Sequence, residues 1–202
     1  MLNDYKAHLS KDKRLKVIIS GEKEFRLKRR KNLFLFLCES IMGQQLSGKV
    51  ADIIYDRFLE LFEDKKPTPE LVSSLPDVTL RKIGLSNNKS SYVKNVATFA
   101  IKERIDFKTI NKMDNESIIK YLTQIKGVGR WTVEMLLIFA LGREDVFAVD
   151  DYGIQSAMIK IFNLEHLKNK ELKDKLKKIS NRWSPYRTYA CLYLWHWKDN
   201  VT

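Results

Sequence analysis

The chain has 202 residues, 37 Lys/Arg against 25 Asp/Glu, a net charge of +12 and a pI near 9.6. A hydrophobic content of 44% excludes a disordered chain and is enough for a core that buries roughly 70% of the unfolded surface. The basic excess points to a polyanionic partner, nucleic acid before others, or to nothing more than a basic soluble protein.

Two cysteines, Cys38 and Cys191, cannot build a four-cysteine zinc or iron–sulfur site and read as buried free thiols of an intracellular protein. His8, His166 and His196 lack ligand spacing. The N-terminal MLNDYKAHLSKDKRLK has no apolar stretch of the kind a secretion signal needs. No segment approaches the roughly 18 uninterrupted apolar residues of a membrane span. With only 8 Gly and 4 Pro, punctuation is sparse, which favours long helices over short strands.

Residues 1–32 hold eleven Lys/Arg and four Asp/Glu; a solvated arm or helix edge, and a contact with phosphates, both remain open. NLFLFLCESIM (32–42) is apolar nearly all round, as a central buried helix is. GQQLS (43–47) interrupts it, and Ser47 can cap a following helix with Val50, Ile54, Phe58, Leu61 and Phe62 on one face. Thr68-Pro69-Glu70 starts another helix, and Gly84 ends the one begun near Asp77. Helices are predicted over Lys89–Arg104, with Val93, Val96 and Ala100 inward, and over Asn115–Thr123. After the pair Asp150-Asp151 a helix runs from Tyr152 to Phe162, then a basic amphipathic one over 168–178 on Leu172, Leu176 and Ile179. Ser184-Pro185 opens a last aromatic helix, PYRTYACLYLWHW. No sustained alternation of period two and no repeat is present, so the chain reads as all-α.

Between the helices predicted at 115–123 and from Trp131 lies IKGVGR (125–130). Two glycines around an apolar residue permit a tight turn, and the next helix presents its unpaired N–H groups beside Lys126 and Arg130. Such a turn suits a DNA phosphate and reads no base sequence. A plain helical hairpin is the other reading. Each carboxylate of the Asp150-Asp151 pair is, by residue type alone, a good helix cap.

LTQIKGVGRWTVEMLLIFALGREDVFAVDDY (122–152) closely resembles the helix-hairpin-helix plus Asp signature of the base-excision DNA glycosylases, the HhH-GPD superfamily. SIMGQQLSGKVA (40–51) and RWSPYRTYACLYLW (182–195) are similar to its 3-methyladenine branch, and together the segments cover most of residues 38–197. The resemblance implies a two-lobed helical fold with its active site in the cleft between lobes. One lobe would span 35–142 and end in the hairpin at about 116–141; the other would combine 1–34 with 143–202. It implies a glycosylase releasing alkylated purines, 3-methyladenine and 7-methylguanine, with Asp151 catalytic and Asp150 left to cap the next helix. Trp131, Met135, Trp195 and Tyr152 would line the pocket. Gln44, Gln45, Leu46, Lys126, Gly127, Val128, Gly129, Arg130 and Thr132 would contact DNA, with Gln45 filling the gap left by the extruded base.

In relatives that also cleave the backbone, a lysine stands at the start of the second hairpin helix. Trp131 occupies that position here and cannot form a Schiff base, so the resemblance implies a monofunctional enzyme that leaves an abasic site. Met135 stands where relatives often carry Tyr and lacks an O–H donor, which bears on substrate breadth. Arg187 reads as a buried ion-pair partner. No cofactor is required; a structural Na+ or K+ on the carbonyls of Thr123, Ile125 and Val128 is a family feature. The implied partner is damaged double-stranded DNA, with no membrane. The protein is expected as a monomer in a prokaryotic cytoplasm or a nucleus. The alternatives are a glycosylase for mismatched uracil or thymine or for oxidised purines, and a non-enzymatic DNA-binding module.

Overall fold

A computed structural model describes residues 4–103 and 105–201. Among these there is no β-strand, and thirteen α-helices follow one another. They are α1 (Asp4–Leu9), α2 (Lys13–Ile19), α3 (Leu33–Gly43), α4 (Gly48–Leu59), α5 (Pro69–Ser74), α6 (Asp77–Lys82) and α7 (Asn87–Glu103). Then come α8 (Phe107–Ile110), α9 (Asn115–Leu122), α10 (Arg130–Phe139), α11 (Tyr152–Phe162), α12 (Asn169–Ser180) and α13 (Arg187–Val201). Short 3-10 turns stand at 63–65 and 181–183. The predicted helix over 89–104 starts two residues earlier, and Arg104 lies outside the described residues. No described helix is long and apolar enough to cross a membrane.

The chain divides into two compact units, one of residues 29–141 and one joining the residues through Lys28 to those from Gly142. The resemblance had set the divisions at 34/35 and 142/143. In the first unit α3 is central, packed on α4, α7 and α10. Its Leu37, Cys38 and Ile41 are wholly buried, and each such large apolar side chain contributes about 1.5–3 kcal/mol. Burial also pushes the Cys38 thiol far up, so it stays protonated and inert. Thr68 caps α5 through Leu71 N–H at 3.3 Å with Pro69 in the first turn, and Gly84 follows α6 at φ +110°.

Two expectations for α4 fail. Ser47 occupies its N-cap position without a side-chain cap bond, and Val50 is 43% exposed. Only the C-terminal half of α4 carries its apolar face inward, at Ile54 and Phe58.

In the second unit the basic N-terminal segment is helical and not an extended arm. Residues 4–19 form α1 and α2, burying Tyr5, Leu9, Leu15, Ile18 and Ile19, and α2 packs on α13. Charge hid an apolar face at helical spacing. Tyr5 stacks on Tyr189 with ring centroids 3.9 Å apart, and its hydroxyl accepts from Phe25 N–H at 2.9 Å. Asp12 caps α2 through Oδ1 while Oδ2 accepts from Trp183 Nε1 at 3.1 Å and Arg182 at 3.0 Å. The aromatic helix α13 begins at Arg187, two residues beyond Pro185, and packs along α11.

Candidate functional site

The loop 142–151 is fastened to the start of α13. Thr188 Oγ1 accepts from Val146 N–H at 3.0 Å and donates to the Arg143 carbonyl at 2.6 Å. Tyr189 OH donates to Glu144 at 3.0 Å. Arg187 makes a two-pronged pair with Asp145, at 2.6 and 2.9 Å. The pair is about 30% exposed rather than buried, because it sits where the loop meets the helix end. Burial of Asp145 works against its charge, but the bonds from Arg187 and Ser184 prevail and hold the carboxyl below its usual range.

This loop delivers Asp150 and Asp151 to different environments. Asp151, 9% exposed, is itself the N-cap of α11: Oδ1 accepts from Ile154 N–H at 2.9 Å. The same oxygen accepts from Trp195 Nε1 at 2.8 Å. Asp150, expected as the cap, instead pairs with Lys173 at 2.6 Å in a half-exposed position. The reason is reach: a cap side chain turns back to the third helical N–H from the residue directly before the helix, which is Asp151.

Gly153 makes the Trp195 bond possible. A Cβ there would stand 3.0 Å from Trp195 Cδ1 and 3.1 Å from Asp151 Oδ1. In the sequence, Gly153 carries no signal beyond its place two residues after a carboxylate cap. Trp195 was expected as a pocket wall; the fold also makes it a hydrogen-bond donor to the carboxylate. Tyr152 is 78% exposed, with Lys198 Nζ 6.0 Å from its ring centroid.

In the other unit, α9 and α10 form the hairpin. Ile125 N–H donates to Leu122, and Val128 N–H donates to Ile125 at 2.9 Å. Gly127 takes φ +103°, and a Cβ on it would fall 2.2 Å from Tyr92 Cγ, so both backbone angle and packing demand glycine. Gly129 differs. It is the N-cap of α10 at φ −91° with open space before it, and it supplies no capping side chain to the first turn. Asn95 donates to the Lys126 carbonyl at 3.0 Å, leaving the Lys126 side chain exposed.

Arg130, expected beside the turn as a DNA contact, also fastens the hairpin. Its guanidinium donates to Glu116 of α9 and, at 3.0 Å, to Glu134 of α10. The Glu116 bonds push its pKa further up. Thr132 and Val128 are buried. Trp131 is 37% exposed and Met135 buried.

The turn after α3 separates two adjacent glutamines. Gln44 Nε2 points to Thr132 Oγ1 at 3.4 Å, while Gln45 is exposed in the left-handed region at φ +58°. Leu46 beside it is 37% exposed. Among the described residues no group of three or more His, Cys, Asp or Glu is placed to hold a metal ion.

An all-α chain with a glycine hairpin at one helix start and a buried, doubly bonded aspartate at another defines a class: helix-hairpin-helix DNA-repair proteins. Residues 38–182 match the family model described as HhH-GPD superfamily base excision DNA repair protein, and the chain belongs to that superfamily. It is 35% identical over 185 residues to DNA-3-methyladenine glycosylase 1 of Schizosaccharomyces pombe, covering 91% of this chain and 80% of that one. The fission-yeast 3-methyladenine DNA glycosylase Mag1, solved in complex with abasic DNA, superposes with a TM-score of 0.83 at 34% identity, over 95% and 94% of the two chains. A DNA-3-methyladenine glycosidase from Bacillus halodurans gives 0.81 at 35% identity, over 96% and 88%.

Proposed function

We propose that this chain is a monofunctional DNA glycosylase that hydrolyses the N-glycosidic bond of N-alkylated purines in double-stranded DNA, 3-methyladenine and then 7-methylguanine. The observation that carries the reading is Asp151, a buried carboxylate whose Oδ1 is held by Ile154 N–H and Trp195 Nε1, in a chain whose relatives are named for that activity.

A purine alkylated at N3 or N7 is cationic. When its bond to C1′ breaks, the electron pair leaves with the base, which departs neutral, and the positive charge passes to the sugar. Asp151 stabilises that charge; water adds to C1′ and releases a proton, leaving an abasic site. Because the leaving group is already activated, no strong acid is needed. Trp131 serves as the stacking face, where a cation over an indole gains about 0.5–2 kcal/mol. Met135 and Tyr152 are the further residues proposed to meet the substrate. Gly127, Gly129, Arg130 and Thr132 offer backbone N–H groups, and Lys126 a charge, to a phosphate; Gln45, with Leu46, fills the gap in the duplex. A monovalent cation on the carbonyls of Thr123, Ile125 and Val128 is compatible with the turn, since the Ile125 carbonyl keeps a second lone pair beyond its bond to Val128. No step passes through it. Such an enzyme works as a monomer where the cell keeps its DNA.

The test is single-turnover incubation with a duplex bearing one 3-methyladenine. Free base is expected, with strands intact until alkali or heat cleaves the abasic site. Direct nicking by the purified protein would refute the monofunctional assignment, and release of uracil or oxidised purine instead would move the specificity elsewhere.

Trp195 and Gly153 are the proposed positioning residues. Trp195→Phe removes one bond to a charged acceptor, worth about 1.5–3 kcal/mol, and excision is expected to slow at least tenfold. Gly153→Ala raises helix propensity, yet its methyl presses on both Trp195 and Asp151. Its melting temperature is expected to stay near that of the parent while the rate falls. Equal rates in both variants would leave Trp195 a packing residue only.

A further inference from the structure

The C-terminus of α3 runs directly into the glutamine turn, and the carbonyls of residues 41–44 each have a partner. Ile41 accepts from Gln44 N–H at 3.3 Å and Gly43 from Leu46 N–H at 3.2 Å. The two others, Met42 and Gln44, accept from a single side chain: Lys89 Nζ, at 2.8 and 2.7 Å. Lys89 lies in the first turn of α7, the positive end of a helix and an unfavourable place for a cation. Burial adds to the cost and pushes its pKa down. The carbonyl end of α3 offsets both, because a helix C-terminus carries the opposite partial charge.

Directly after those carbonyls comes Gln45, a non-glycine residue at φ +58°. Left-handed backbone of this kind costs free energy and persists only where surrounding contacts over-determine it. Lys89 grips the residue before Gln45 and the helix end behind it, while Gln44 turns inward toward Thr132. The result is that Gln45 alone of the glutamine pair projects outward.

We propose that Lys89 is a positioning residue for duplex opening: its ammonium holds the turn in the one form that presents Gln45 to the gap left by an extruded base. This rests on the role given to Gln45 above. Lys89 touches neither substrate nor reacting atoms. Its contribution belongs to discrimination between opened and intact duplex, not to phosphate affinity.

The experiment compares Lys89→Met, Gln45→Ala and the double variant in binding to a duplex with an abasic-site analogue and to the same duplex undamaged. In parallel, 2-aminopurine next to the lesion reports opening by its fluorescence. Lys89→Met is unbranched and one atom shorter, without donors, and is expected to lower the preference for the abasic duplex about tenfold with undamaged affinity nearly unchanged. The double variant should lose no more than Gln45→Ala alone, and Lys89→Arg, which keeps two donors, should restore most of the preference. If Lys89→Met does not fold, Lys89→Gln with its single amide donor group should show an intermediate loss.

An unchanged preference in folded Lys89→Met, beside a reduced one in Gln45→Ala, overturns the proposal and leaves the Gln45 role standing. Equal weakening toward both duplexes makes Lys89 a phosphate contact and overturns it as well. An unchanged preference in Gln45→Ala removes the Gln45 role and this proposal with it.

Discussion

Asp151→Asn is expected to slow single-turnover excision of 3-methyladenine about a thousandfold, with little change in stability. At roughly 4 Å and an effective dielectric of about 20, a carboxylate and a sugar cation attract by about 4 kcal/mol, and each 1.36 kcal/mol is about tenfold in rate. Asn removes the charge but keeps the shape. Its side-chain oxygen still accepts from Ile154 N–H and Trp195 Nε1, the two bonds that hold Asp151 Oδ1, and Asn caps helices as well as Asp does. Asp151→Ala should lose the same rate and about 1 kcal/mol of stability besides, through the missing cap. The pair of variants therefore separates the proposed catalytic role from capping at one residue. Full activity in Asp151→Asn would sink the assignment and leave the residue a helix cap.

Gly127→Ala should produce the largest loss of stability, while Gly129→Ala should produce almost none. At Gly127 a methyl group meets Tyr92 at an impossible distance, and the backbone is held at φ +103°. Overpacking costs about 1–3 kcal/mol and a left-handed L-residue about 1–2, so a loss of about 2–5 kcal/mol is expected. For a chain of this size that corresponds to a fall in melting temperature of roughly 4–20 °C. Adding Tyr92→Ala should recover the steric part and not the backbone part. Gly129 has an ordinary φ of −91° and open space in front of it. Its substitution should leave melting near the parent value and act on DNA instead, because the new methyl stands where a phosphate would approach the first turn of α10. A Gly129→Ala protein that binds DNA as the parent does would argue against the hairpin as the backbone grip. Calorimetry and a salt titration of DNA affinity read the two effects separately.

Much of the architecture was legible because it is local. Helix periodicity, the Thr68-Pro69 start, the Gly84 stop and the helix after Asp151 all depend on residues within about one turn of each other. The resemblance over residues 38–197 located the hairpin and the aspartate in the same way, by contiguous motifs. Where reading failed, competing local signals were equally good. Residues 4–19 carried a helical apolar face under a heavy basic charge, and either of two adjacent aspartates had the chemistry of a cap.

What the sequence determined by itself, then, is the all-α class, the order of helices, and which residue types could grip a phosphate or stabilise a sugar cation. The tertiary structure decided their partners. Asp151 meets Trp195 across 44 residues, and Lys89 reaches Met42 and Gln44 across 47 and 45. Arg130 closes on Glu116 across 14, and Asp150 is drawn off to Lys173. Glycine identity at 127 and 153 was visible, but its cause was not: Tyr92 and Trp195 come from other helices. Periodicity and capping act over a few residues of chain, whereas the field and the crowding around a side chain are set by whatever the packed helices bring beside it.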